Sequence, residues 1–216
     1  MNSRTTAPAP VDEPQSARKH RDILAAAATV FLQKGFLGTS MDEVAALASV
    51  SKQTVYKHFS DKERLFEEIV AATVDEVSDP VHEIVLHVDE SGDLEAGLRD
   101  LARRQLAMVM QPRLLQLRRL VIGEAARFPE LGRTFYERGP ERTIDGLAAV
   151  FEKLAKRGAL DVDDPRLAAA HFNWLVMSIP LNQAMLRGTD APASPEELDR
   201  YADAGVRAFV RAYARR

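Results

Sequence analysis

The chain has 216 residues, 46% of them hydrophobic, no cysteine, and a formal net charge of −3. That length allows one large domain or two small ones with a sizeable core, while the missing cysteines exclude disulfides, thiolate zinc sites and a cysteine nucleophile. The charge is uneven: residues 16–62 carry seven Lys or Arg against four Asp or Glu, a net +3 on an otherwise acidic chain, so an anionic partner is expected at that end alone.

Ala and Leu dominate, aromatics are 6%, and runs of strand-favouring residues are scarce, which predicts an all-α chain of about nine to ten helices. The opening stretch, MNSRTTAPAPVDEPQS, has no apolar core and is no secretory signal. Its Pro, Ala, Ser and Thr content predicts a disordered arm over residues 1–15. A first helix is expected from about Ser16 to Lys34, with the stripe Ile23, Leu24, Ala27, Val30, Phe31 and a left-handed stop at Gly35. Ser40 with Glu43, Ser60 with Glu63, and Ser194 with Glu197 have the spacing of capping boxes, the last with Pro195 at the first helical position.

The stretch TSMDEVAALASVSKQTVYKHFSDKERLF predicts two short helices, about Ser40–Ala48 and Lys52–Phe59, separated by Ser49, Val50 and Ser51. So short a connection forces a sharp crossing, a helix-turn-helix. Val44, Ala45, Ala48, Val50, Val55 and Phe59 can join the pair. The second helix then presents Lys52, Gln53, Thr54, Tyr56, Lys57 and His58, all able to donate hydrogen bonds and none acidic. That is the chemistry for entering a major groove, with amides and ammoniums for base edges and hydroxyls for phosphates. The plainer alternative, a solvated helical hairpin, would normally mix acids into this face.

These residues resemble the DNA-binding domain of TetR/AcrR-type transcriptional regulators, from AAAATVFLQKGFLGTS through YKHFSDKERLF. The later stretch VIGEAARFPELGRTFYERGPERTIDGLAAVFEKLAKRGAL resembles the AefR-like branch. The resemblance implies a three-helix helix-turn-helix domain over 16–62 and a helical bundle over 63–216 for ligand binding and dimerisation. Lys52, Gln53 and Thr54 would face bases or nearby phosphates. Tyr56, His58, Thr39 and Ser40 would contact phosphates, Lys57 lies on the same face, and Lys62 would hold a phosphate at a helix N-terminus. The family usually has Gly where this chain has Ser49, a position expected to need positive φ.

In the body, Ile144, Leu147, Phe151 and Leu154 are spaced as core. Arg113, Arg118 and Arg119 read as a solvated basic face, with an anionic ligand as the alternative. AAAHFNWLVMSIPLNQAML holds a mid-helix Pro180, expected to kink its helix and open an apolar void. Phe172, Trp174, Met177 and Met185 would line that void, with Met108 and Phe128 as further pocket residues. The alternative for each is ordinary core or dimer packing. Small residues at Gly205, Ala208 and Ala212, together with the family resemblance, make 165–188 and 195–213 the expected four-helix dimer interface.

Catalysis finds no support in the sequence. HEIVLH at 82–87 nearly imitates a zinc motif, but its second His lies five residues on, turned away around a helix. No phosphate loop and no nucleophile elbow occur. No catalytic residue, metal or cofactor is expected. The expectation is a cytoplasmic, dimeric regulator that binds a palindromic DNA operator, answers to a small, largely apolar effector, and acts as a repressor more readily than as an activator. Its alternatives are a DNA-binding regulator that senses no small molecule and, remotely, a helical enzyme. No apolar run approaches a membrane span, so no membrane partner is expected.

Overall fold

The computed structural model describes residues 15–86, 93–187 and 193–215. Among them the chain forms α1 (Gln15–Gly38), α2 (Met41–Leu47), α3 (Lys52–His58), α4 (Lys62–Leu86), α5 (Leu94–Val109), α6 (Pro112–Glu124) and α7 (Pro129–Tyr136). A five-residue π-turn, Glu137–Glu141, leads into α8 (Arg142–Lys156), followed by α9 (Pro165–Arg187) and α10 (Pro195–Tyr213). The only extended pairing among the described residues is an isolated bridge between Leu160 and Ala214. The arm expected over 1–15 lies outside these residues except Gln15, which opens α1.

Local chemistry explains the helix ends. Gly35 takes φ 71 and ψ 177, an extended positive-φ conformation open to glycine and not the left-handed helical stop expected, so α1 breaks there and a last turn follows to Gly38. The Ser40 hydroxyl caps α2 by accepting the Glu43 amide at 3.2 Å. The Glu43 carboxylate turns instead to Lys34, at 2.5 Å. The cap expected at Ser60 moves one residue on. Asp61 accepts the Arg64 amide at 2.7 Å and the Ser60 hydroxyl at 2.8 Å, because a carboxylate is the stronger acceptor facing a helix N-terminus. Ser194 and Glu197 form the full capping box.

The chain divides into two compact units, the first ending at Phe66 and the second beginning at Glu67. In the first, the rings of Phe31, Phe36 and Phe66 lie 4.8–5.9 Å apart, with Ile23, Ala27, Val44, Val55 and Phe59 also buried. In the second, α8 packs on α9, and α10 packs on α9 and α5. Phe151, Phe172 and Phe209 meet at 5.0–6.0 Å in the centre. Gly205 does not belong to an outer small-residue stripe. It is buried where α10 crosses α9, and a Cβ there would stand 2.9 Å from the Leu175 carbonyl oxygen. Arg103 ties α5 to α10 through two bonds to Asp203, at 2.8 and 3.0 Å.

Candidate nucleic-acid interface and ligand cavity

The turn before α3 sets the helix crossing. The amide of Val50 donates to Ala45 O at 3.0 Å and that of Ser49 to Ala46 O at 3.2 Å, while Ser49 itself sits at φ 55. This is the hydrogen-bond pattern of a Schellman stop, with serine at the left-handed position where glycine is usual. Ser51 then caps α3, its hydroxyl accepting the Thr54 amide at 3.1 Å. Val55 and Phe59 are wholly buried, as is Val44 of α2, and this anchors one side of α3 and fixes which side faces out.

The outward side carries the expected set. Lys52, Gln53, Tyr56 and Lys57 are exposed, and Thr54 and His58 are half-buried. Lys52 is held by Asp42 of α2 at 2.8 Å, a pair with both members well exposed. So exposed a pair is weak, and a phosphate can replace Asp42 at little cost. The hydrogen bond that Lys52 donates to Asp42 raises the Lys52 pKa, so the ammonium stays charged. His58 lies 5.7 Å from the His20 ring. Burial first, then the charges of His20, Lys57 and Lys19, push His58 below the ordinary histidine value.

Two expected phosphate contacts are occupied inside this unit. Thr39 is 3% exposed, and its hydroxyl donates to Gly35 O at 2.8 Å, so its side chain closes the end of α1 and does not face outward. Lys62 donates to Phe36 O at 2.9 Å and Thr39 O at 3.1 Å, so carbonyls in the last turn of α1 and just past it hold its ammonium. Ser40 is exposed, with its hydroxyl engaged in the α2 cap.

In the second unit, a cavity enclosing about 520 Å³ of empty space, mouth included, lies among α4, α5, α6, α7, the π-turn, α8 and α9. Trp174 and Met177 line it as expected, with Val77, Leu114, Phe135 and Leu181. The other four candidates do not line it. Phe172 is 0% exposed in the aromatic core, because it lies between Phe151 and Phe209. Met108 lines a separate depression with Thr73 and Pro80. Phe128, just before α7, is half-buried under the Arg127 guanidinium at 5.0 Å. Met185 is half-buried near the end of α9. Pro180 is buried, but it lines a different depression, with Arg119 and Leu198.

The cavity also has a polar side that periodicity did not reveal. Gln105 Nε2 donates to Asn173 Oδ1 at 2.8 Å, and both residues line the space with Ser78, Thr143 and Arg118. Arg118 is not on a solvated face. Its guanidinium lies 4.8 Å over the Phe135 ring, and burial pushes its pKa down to about 10, so it remains charged at neutral pH. A stripe count sees only that an Arg stands one residue after a Leu; that the next helices bend over it is a tertiary fact. Among the described residues no three His, Asp or Glu cluster as a metal site, and His87 of the near-zinc motif lies outside them. No described helix is long and apolar enough to cross a membrane.

A capped, acid-free helix held out by a tight helix-turn-helix, joined to a helical body with its own cavity, defines a DNA-binding transcriptional regulator. Residues 23–69 match the model for bacterial regulatory proteins of the tetR family, and residues 96–215 match that for the C-terminal domain of AefR-like transcriptional repressors. A TetR-family regulator from Mesorhizobium loti is 47% identical, with a TM-score of 0.88 over 94% of this chain and 100% of that one. The flavonoid-responsive regulator FrrA is 34% identical, with a TM-score of 0.75 over 93% of this chain and 99% of its own. The HTH-type transcriptional regulator YhgD of Bacillus subtilis is 29% identical over 77% of this chain and 89% of its own. The chain belongs to the TetR family of transcriptional regulators, with an AefR-like C-terminal domain, and its relatives are regulators and not enzymes.

Proposed function

We propose that this chain is a dimeric repressor that holds a palindromic operator through α3 and releases it when a small molecule occupies the cavity of the second unit. The observation that carries the DNA half is the outward face of α3. Lys52, Gln53, Tyr56 and Lys57 are exposed donors without an acid among them, on a helix anchored behind by Val55 and Phe59. Gln53 and Thr54, in the first turn, read base edges. Lys52, Tyr56, Lys57 and the rim residues Ser40, His58 and Lys62 hold the phosphates. The DNA-binding domain is the stretch 16–62, and the ligand and dimer functions lie in 63–216, in the cytoplasm.

Dimerisation through α9 and α10 draws support from the outer face of α9, where Leu167, Leu175, Ile179 and Leu186 are all exposed at helical spacing. Two-fold pairing makes two copies of α3 match two half-sites, so the spacing between copies governs affinity. Effector control draws support from the cavity and from FrrA, a flavonoid-responsive relative. An effector that favours the DNA-releasing arrangement by about 1.4 kcal/mol lowers operator affinity tenfold.

The test is selection of bound sequences from a random duplex pool with the purified protein. Recovery of a palindromic site is the expected result, and recovery of no preferred sequence overturns the reading.

A further inference from the structure

The cavity holds a charge with nothing opposite it. Arg118 reaches into it from α6, its Nε is buried without a hydrogen-bond partner, and no ion pair joins it to a carboxylate among the described residues. Its neighbours on the same helix are served: Arg113 faces Glu76 at 3.7 Å, and Arg119 donates to Ala184 O at 2.5 Å. Among the described residues no Asp or Glu lines the cavity. Burial pushes the Arg118 pKa down, as it does for a cation withdrawn from water. The Phe135 ring face offers partial compensation to the cation. A second polar atom is also unserved: Gln105 Oε1 is buried without a partner on the same wall. Arg118 as a whole is half-buried, and a cation partly withdrawn from water with no carboxylate beside it favours an anion there.

We propose that the cavity is built for a compact monoanion, an apolar or aromatic body carrying one carboxylate that pairs with the Arg118 guanidinium. The planar fork of the guanidinium matches a carboxylate with two parallel hydrogen bonds. The body of the ligand lies among Val77, Leu114, Trp174 and Met177. A single guanidinium matches the charge of one carboxylate and not that of a polyphosphate. The ligand class rests on the effector reading proposed above.

The test uses the purified full chain and matched probes: 3-phenylpropionate, cinnamate and octanoate, each beside its neutral primary amide. Calorimetric titration and thermal shift are read for the wild type, Arg118→Met and Arg118→Lys. The acids are expected to bind at least about tenfold tighter than their amides. Arg118→Met removes that preference, while Arg118→Lys keeps part of it. Amides that bind as tightly as acids, or acids that fail to bind at millimolar concentration, overturn the proposal. The wild-type comparison stands even if a variant fails to fold. Operator affinity measured with the same probes separates the two readings. Acids that bind selectively yet leave operator affinity unchanged sustain the carboxylate site and sink effector control. Amides that bind equally well and release DNA do the reverse.

Discussion

Lys62 closes the end of α1 on Phe36: its Nζ donates to the Phe36 carbonyl at 2.9 Å and lies 4.5 Å over the same residue's ring. An ammonium has three donors, and Phe36 O and Thr39 O take two of them. The third is available to a phosphate. Lys62→Ala is therefore expected to cost about 1–2 kcal/mol of stability and also to weaken binding to all DNA sequences alike, flattening the salt slope by about one unit. Denaturant melts and a salt titration read the two effects separately. An unchanged slope would assign Lys62 to the fold alone.

Ser49 occupies the left-handed region at φ 55. A serine there is strained relative to glycine, so Ser49→Gly is expected to raise stability by up to about 1 kcal/mol. The check is the urea midpoint of the purified protein, and a clear fall contradicts the strain.

Gly205 allows α10 to lie against the Leu175 carbonyl and the Val176 side chain. A methyl group there would stand 2.9 Å from the Leu175 carbonyl oxygen and 3.0 Å from Val176 Cγ2, inside van der Waals contact, and backbone cannot yield as a flexible side chain can. Gly205→Ala should cost roughly 1–3 kcal/mol, read as a lowered melting temperature. Stability equal to the wild type would show that α9 and α10 part easily.

The helix-turn-helix was legible because its signals are local. Caps at Ser40 and Ser51, the short link through Ser49, and the buried spacing of Val55 and Phe59 are all set within a few residues. The occupied groups were not legible: Thr39 turns back to Gly35, and Lys62 reaches 26 positions back to Phe36. The cavity was half legible. Trp174 and Met177 face it, but Phe172, on the same helix, points into the core, since aromatic content alone does not say which face a helix buries. Arg118 and Gln105 escaped because their partners, or the lack of them, come from distant helices.

His58 gives the interface a pH dependence. Its pKa is lowered in the free protein, by burial first and then by His20, Lys57 and Lys19, so it is neutral at neutral pH. A phosphate beside it favours the charged form, so DNA-bound protein takes up a proton. Operator affinity should therefore rise as pH falls from about 7.5 toward and below the ordinary histidine value of about 6.5. In the free fold the sign is opposite: a base with a lowered pKa reduces stability once pH falls below that ordinary value. His58→Gln should remove much of the affinity change in titrations of operator DNA at several pH values. A variant with the wild-type pH profile overturns the assignment to His58.

The claim that α3 reads sequence is tested most directly by Gln53→Ala, assayed against the selected operator and against random duplex at one salt concentration. Gln53 is exposed and lies next to the capped start of the helix. The account predicts a loss of about 1–3 kcal/mol on the operator with random-duplex binding nearly unchanged, because a base contact is lost and the phosphate contacts remain. Equal losses on both DNAs, or no loss on either, would contradict it.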